Sequence, residues 1–376
     1  MTFWSIVFAI GAAQAVLLAL ALWRWPVNTT ANRILSVWIG LIALDLAIKS
    51  LYFHGPSPWL FKPFRLTQLL PFLYGSLFFL YVRALTQRTG LARRDTWHFV
   101  GFAFALLVNV DVFAFDRSQV EAFQAHLRAG GTWPRSPWLD MVLFAYGVSY
   151  VVAALVRVHR YRRQLLQRRA DADRMSLRWI DVMAVSQIVI WCIALVQWQF
   201  DIPWIDYPLI YGGIVVWVFA MGYLSLGQSA VAAVEPTPET PVAEPLAGSD
   251  DARFPAVEAR LAQLMAQEQL YREPALTIGQ LSRRSGYPEY LVSAVINRRL
   301  EGNFWEYINR QRVEAARACL ADAADTRTVL DIAYDCGFTS KSTFNAAFKR
   351  QLGLTPSAYR QSQSRGAGAV STGQSG

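Results

Sequence analysis

Charge is scarce in this chain. Lys, Arg, Asp and Glu make up 17% of its 376 residues, against 54% hydrophobic residues, and the mean hydropathy is +0.23. Soluble domains carry about 25% charged residues, so the shortage excludes a protein that is water-soluble along its whole length. Cysteine is rarer: Cys192, Cys319 and Cys336 stand far apart, which excludes a zinc finger or a disulfide framework and leaves them as small packing residues. Of the four histidines, His54 and His126 fall on one side of the apolar segments described below and His98 and His159 on the other, so no membrane metal cluster is expected. There is no Gly-x-Ser-x-Gly elbow, and residues 207–227 lack the lysine that a retinal Schiff base requires. Neither an enzyme nor a bound cofactor or metal is expected.

Long apolar runs, by contrast, are plentiful. Seven windows of spanning length follow one another at roughly 3–23, 34–53, 66–85, 97–115, 138–158, 179–200 and 207–226, each near the ~20 residues needed to cross ~30 Å of hydrocarbon. The first has no basic residue before it, so it is not a cleavable leader. Fourteen arginines lie in the loops on one side, eight of them between Arg157 and Arg178, against Lys62, Arg65, Arg117, Arg128 and Arg135 on the other. The excess of positive charge predicts an N-terminus outside and a C-terminus in the cytoplasm, with the chain in a bacterial inner membrane. Trp4, Trp23, Trp25, Trp59, Trp97, Trp138, Trp179 and Trp204 mark the window edges, as an interfacial belt does. The outer loop from Asp116 to Pro137 lacks a core pattern.

Ionisable and amide groups inside such windows are costly and must find partners. Asp45 and Lys49 stand one turn apart, and Gln68, Asn109 and Asp111 are further polar groups; Pro71 and Gly75 allow the third helix to bend. These residues line a signal-sensing pocket or serve as polar glue between helices. A stimulus reaching them would be small, lipophilic, or a property of the bilayer.

Residues 228–252 shift to Ala, Pro, Glu and Thr and read as a disordered linker; about 24 extended residues at ~3.1 Å each reach at most about 75 Å. Helical periodicity returns between 253 and 276 through Val257, Leu261, Leu264 and Met265. From 277 to 360 one plan occurs twice. Leu281 and Gly286 match Ile332 and Gly337, 51 positions on, while Val292 and Ile296 match Phe344 and Phe348, 52 positions on. In each copy a short helix stops at the glycine and a second, amphipathic helix follows after a turn too short for antiparallel packing. Such a pair presents its second helix to a DNA groove. The helix from Asn303 to Leu320 joins the two. The region holds 12 Lys/Arg against 8 Asp/Glu, an excess that favours phosphate. Residues 361–376 are low-complexity and read as a disordered tail.

The turn Gly337-Phe338-Thr339-Ser340, the run Phe348-Lys349-Arg350-Gln351-Leu352-Gly353 and the closing Thr355-Pro356-Ser357-Ala358-Tyr359-Arg360 resemble the AraC/XylS family of transcription regulators. The resemblance covers about 85 of the 376 residues. It implies two readers entering successive major grooves of double-stranded DNA. It places base-facing residues at Glu289, Tyr290, Ser293, Ala294 and Asn297, and at Lys341, Ser342, Thr343, Asn345 and Ala346. Arg298, Arg299, Lys349 and Arg350 become phosphate contacts. The chain departs from the pattern at Ala294 and Ala346, where many members carry arginine, and at Pro288, where a Ser or Thr cap is usual. The expected architecture is all-α: a seven-helix membrane domain, a linker, and a double helix-turn-helix domain. The expected partners are DNA, the lipid bilayer, RNA polymerase and a second copy of the chain. The other reading is a membrane receptor whose C-terminal domain contacts a protein instead of DNA.

Overall fold

The computed structural model describes residues 3–55, 57–87, 90–129, 137–172, 177–200, 207–226, 252–300 and 302–371. Among these every regular element is helical, apart from one isolated backbone bridge. The chain divides into two compact units, residues 1–159 with 177–235, and residues 160–176 with 236–376. The second therefore takes in a stretch that lies between two of the apolar windows.

The first unit contains α1 (Phe3–Arg24), α2 (Thr29–His54), α3 (Phe61–Thr67), α4 (Pro71–Gln87), α5 (Val100–Val108), α6 (Val110–Ala114), α7 (Arg117–Arg128), most of α8 (Pro137–Arg168), α9 (Arg178–Phe200) and α10 (Tyr207–Leu226). Six of the seven apolar windows contain long helices. Among the described residues four stretches are long and apolar enough to cross a membrane: Phe3–Arg24, Thr29–His54, Pro58–Gln87 and Met141–Arg168. Shorter apolar segments, Trp179–Ile193 and Ile210–Ala220, lie in α9 and α10. Large apolar side chains face outwards along these helices, including Leu17, Leu44, Val152 and Val185, and Trp23, Trp59, Trp97 and Trp138 are more than half exposed near the ends.

Two windows depart from single straight helices. The third breaks at Gln68–Leu70, just before Pro71, because proline supplies no amide to continue the ladder and disfavours helix in the residue before it. The fourth is divided at Asn109, whose side-chain amide donates to the Ala105 carbonyl at 2.8 Å and competes with the backbone. The outer loop, which lacks a core pattern in sequence, contains α7. Asp116 caps it, accepting from the Gln119 amide at 2.8 Å, while Val120 and Gln124 are buried one turn apart and Phe123 packs on Phe61 and Phe115.

The second unit holds α11 (Phe254–Ala266), α12 (Ile278–Ser285), α13 (Glu289–Arg299), α14 (Phe304–Ala321), α15 (Val329–Asp335), α16 (Lys341–Leu352) and α17 (Pro356–Ser371). One core joins α11, α12, α13 and the start of α14 through Phe254, Leu264, Leu281, Val292, Ile296 and Ile308. A second joins the rest of α14 to α15 and α16 through Val313, Leu320, Ile332, Phe344 and Phe348. α14 belongs to both, so the packing of one helix sets the relation of the two halves. The expected tail is corrected in part: α17 opens with Pro356 at a helix-compatible first position and continues to Ser371, with no later proline to stop it. The linker from 228 to 251 lies outside the described residues.

Candidate nucleic-acid interface

Each half of the second unit is a helix pair with chemically fixed ends. At the start of α12 the Thr277 hydroxyl accepts from the Gln280 amide at 3.2 Å, and the Gln280 side chain accepts from the Thr277 amide at 2.7 Å, a reciprocal capping box. α15 repeats it: Thr328 accepts from the Asp331 amide at 3.1 Å, and the Asp331 carboxylate accepts from the Thr328 amide at 3.2 Å. α12 and α15 run into Gly286 and Gly337, which adopt φ of +79° and +87°, a region that favours glycine. The following helices differ. Ser340 caps α16, accepting from the Thr343 amide at 3.1 Å, whereas Pro288 precedes α13 with no side-chain cap.

α13 and α16 each have one buried side and one side open to solvent. α13 buries Leu291, Val292, Val295 and Ile296, while Tyr290 and Asn297 are exposed and Glu289 and Ser293 are half-buried. Ala294 is also half-buried and packs against the core cluster. The Asn297 amide donates to the Ser293 hydroxyl at 3.3 Å. α16 buries Phe344, Ala347 and Phe348; Lys341, Ser342 and Ala346 are exposed, and Thr343 and Asn345 half-buried. The Thr343 hydroxyl accepts from Ser340 at 2.9 Å and is partly committed to the cap.

Arg298, Arg299, Lys349 and Arg350 are exposed at the ends of the two helices. Arg299 pairs with Glu258 of α11 at 3.2 Å, and the Arg350 guanidinium lies 4.8 Å from the Trp305 ring centroid. Exposed ion pairs contribute about 0–1 kcal/mol, so a phosphate can displace such a partner. Between the halves, Arg327 bonds both Asp325 and Asp335, holding the Asp325 carboxyl down to about 2. Burial pushes the Tyr307 hydroxyl up to about 12 and the Cys336 thiol up to about 11. Cys336 is therefore a neutral packing group at physiological pH.

The polar residues of the first unit separate into two groups. Lys49 donates to Asp45 within α2, both fully buried, with the Lys49 ammonium 4.0 Å from the Tyr211 ring centroid. Gln68 and Asn109 meet elsewhere, joined by Arg65, which donates to them at 2.8 and 2.6 Å. Asp111 is exposed and joins neither group. An apolar groove of about 380 Å³, lined by Leu44, Ile48, Thr67, Leu70, Leu106 and Phe113 among others, contains none of the five.

Sequence reading missed Arg312, a cation on the buried stripe of α14, four residues after Ile308 and four before Ala316. A charge at an apolar position of a helical stripe was the available signal.

Two capped helix pairs, each presenting the free side of its second helix beside exposed basic residues, define a double helix-turn-helix, DNA-binding protein. The helix-turn-helix domain family matches residues 281–362. The regulatory protein SoxS of Escherichia coli K12 is 32% identical over 85 residues, covering 23% of this chain and 78% of SoxS. The probable transcription factor PqrA of Proteus vulgaris is 27% identical over 95 residues, 25% of this chain and 76% of PqrA. The melibiose operon regulatory protein of E. coli K12 is 31% identical over 89 residues, 24% of this chain and 29% of that protein. No solved structure matches the chain. The chain belongs to the AraC/XylS-type helix-turn-helix regulators. These relatives are transcription regulators, in line with the expectation that the chain is not an enzyme.

Proposed function

We propose that this protein is a transcription regulator held in the bacterial cytoplasmic membrane, which couples a membrane-borne or small-molecule signal to sequence-specific binding of DNA. The reading rests on one combination: apolar helices of spanning length in the same chain as a complete double reader. The charge asymmetry of the loops supports an N-terminus outside and a reader in the cytoplasm, the compartment that holds DNA. Within the reader, Lys341 meets guanine acceptors, Asn345 reaches adenine, and Thr343 lies against a thymine methyl. Glu289, Tyr290, Ser293, Ala294 and Asn297 face the groove from α13, with Ser342 and Ala346 beside them on α16. Arg298, Arg299, Lys349 and Arg350 clamp phosphates.

Alanine at both 294 and 346 removes a strong purine contact from each helix, and a missing bidentate pair costs about 1–3 kcal/mol of discrimination. One chain therefore binds loosely, and two chains on adjacent sites restore affinity. The buried Asp45–Lys49 pair is the centre of the signal-responsive region, with Gln68, Asn109 and Asp111 as secondary members; RNA polymerase is the downstream partner.

The full-length protein in detergent, titrated with duplex DNA from 50 to 200 mM salt, tests the reader directly. Affinity falls steeply as salt rises, and Lys349→Ala lowers the slope of log K against log salt by about 1. Absence of duplex binding at the lowest salt would favour a protein partner for the C-terminal domain.

A further inference from the structure

The reader's compact unit is discontinuous in sequence, because it includes residues 160–176. In the sequence reading this arginine-rich stretch joins the fifth and sixth apolar windows. α8 ends at Arg168, and the next residues turn onto the reader. Arg169 forms an antiparallel bridge with Thr277, and the Ala170 amide donates to the Leu276 carbonyl at 2.9 Å. The Ala170 side chain, 1% exposed, enters the core cluster around Phe254, Leu264 and Ile296. Thr277 is also the residue that caps α12, where the first helix-turn-helix begins.

Behind this contact lies Arg312 of α14, 1% exposed. Its Nε donates to the Tyr271 carbonyl and Nη2 to the Glu273 carbonyl, both at 2.8 Å, and Nη1 reaches the Ala170 carbonyl at 3.4 Å. All of its hydrogen-bond partners among the described residues are neutral oxygens. Burial pulls its pKa down to about 10, opposed by the charge of Asp171, a carboxylate that is itself gripped by Arg169 at 2.8 Å. A buried cation needs every such partner. Residues 169–171 therefore complete the surroundings of a charge on the one helix that both reader halves share. The contact is small, consisting of one backbone pairing, one alanine and part of an arginine's shell. A contact of that size is suited to reversible docking.

We propose that Arg169–Asp171 form a latch that docks on the Thr277–Arg312 surface of the reader in the low-occupancy state and leaves it when the reader binds DNA. The latch rests on the reading of the protein as a membrane-bound regulator. Docked, the reader is tied to a loop whose two ends continue into apolar helices; released, it is held only through the stretch that follows α10. A signal that shifts α8 or α9 thus reaches the first reader through its cap residue and the second through α14.

The test uses the full-length protein in cells. Paired positions in an antiparallel bridge lie close enough for a disulfide, so the pair Arg169→Cys/Thr277→Cys links under mild oxidation, as read by mass spectrometry of the joined peptides. Arg169→Cys/Thr328→Cys, aimed at the equivalent cap of the second reader, does not. No link at 277, or an equal link at 328, overturns the latch. In genome-wide DNA occupancy measurements the linked pair falls several-fold and recovers with reductant. Ala170→Asp, which cannot enter the apolar cluster, rises several-fold above wild type, and the milder Ala170→Gly shifts the same way. Both variants falling, or neither moving, would reduce the contact to a structural one and overturn the latch. Wild-type occupancy in the same assay separates the two claims: if wild type itself shows none, the DNA-binding reading fails and the latch with it, while the cross-link still reports the contact.

Discussion

Gly286 and Gly337 hold the same left-handed backbone conformation, but their surroundings differ. A Cβ at Gly286 would meet open space, whereas one at Gly337 would lie 2.5 Å from the Tyr271 carbonyl oxygen and 2.7 Å from that of Arg272. Gly286→Ala should cost about 1 kcal/mol, the conformational penalty alone. Gly337→Ala should cost about 3 kcal/mol or more, because backbone must also move. Hydrogen exchange of the α12 and α13 amides for the first variant and of the α15 and α16 amides for the second measures the difference; equal costs would show that the contact with Tyr271 is unimportant. The Arg327–Asp325 pair sets a pH dependence of known sign. The folded Asp325 carboxyl titrates near 2, below the unfolded value of about 3.9. As pH falls between those values the unfolded chain binds the proton first, so stability contributed by the pair is present above the window and lost through it. Asp325→Asn should flatten the acid limb of reader unfolding over that range. Glycines and core positions of the reader were legible because each is a one-residue requirement. Arg312 was marked only as a charge on an apolar stripe, because its partners are carbonyls, which leave no mark in side-chain identity.

At the scale of elements, the helix ends are carried by single side chains. Thr328→Ala removes the hydroxyl that accepts from the Asp331 amide, while the backbone amide at 328 still donates to the Asp331 carboxylate; the loss should cost about 1 kcal/mol, measured as earlier exchange of the α15 amides. Within α2, Asp45 and Lys49 are each other's partner. Asp45→Ala alone leaves a buried cation and should destabilise the protein by about 3–5 kcal/mol, whereas Asp45→Ala with Lys49→Met should recover much of that loss. Thermal unfolding in detergent distinguishes them; a double variant as damaged as the single would give the pair a role beyond mutual neutralisation. Most helices were readable from apolar periodicity. α7 was not, since its stripe of Val120, Phe123 and Gln124 is too short and polar to signal a core. The breaks at Gln68–Leu70 and Asn109 were only half visible. Pro71 pointed to the first, but an asparagine that competes with its own backbone looks like any polar residue within an apolar run.

For the whole molecule, the sequence divides cleanly at the Pro/Glu-rich stretch, and the structure adds that residues 160–176 belong with the reader. That membership could not be read from the chain, where the stretch is a basic loop whose charge already has a sufficient explanation in topology. The pairing of Arg169 with Thr277 joins positions more than a hundred residues apart through backbone atoms, and backbone bonding carries no residue signature. In the proposed function this chain reads specific DNA through α16 while apolar helices carry it. Mapping DNA occupancy across the genome in cells expressing the full-length protein, wild type against Lys341→Ala, tests it most directly. Wild type should give discrete enriched sites that are lost or weakened about tenfold in the variant, as about 1–3 kcal/mol of base contact requires. Sites equally occupied by both proteins, or none in either, would contradict it.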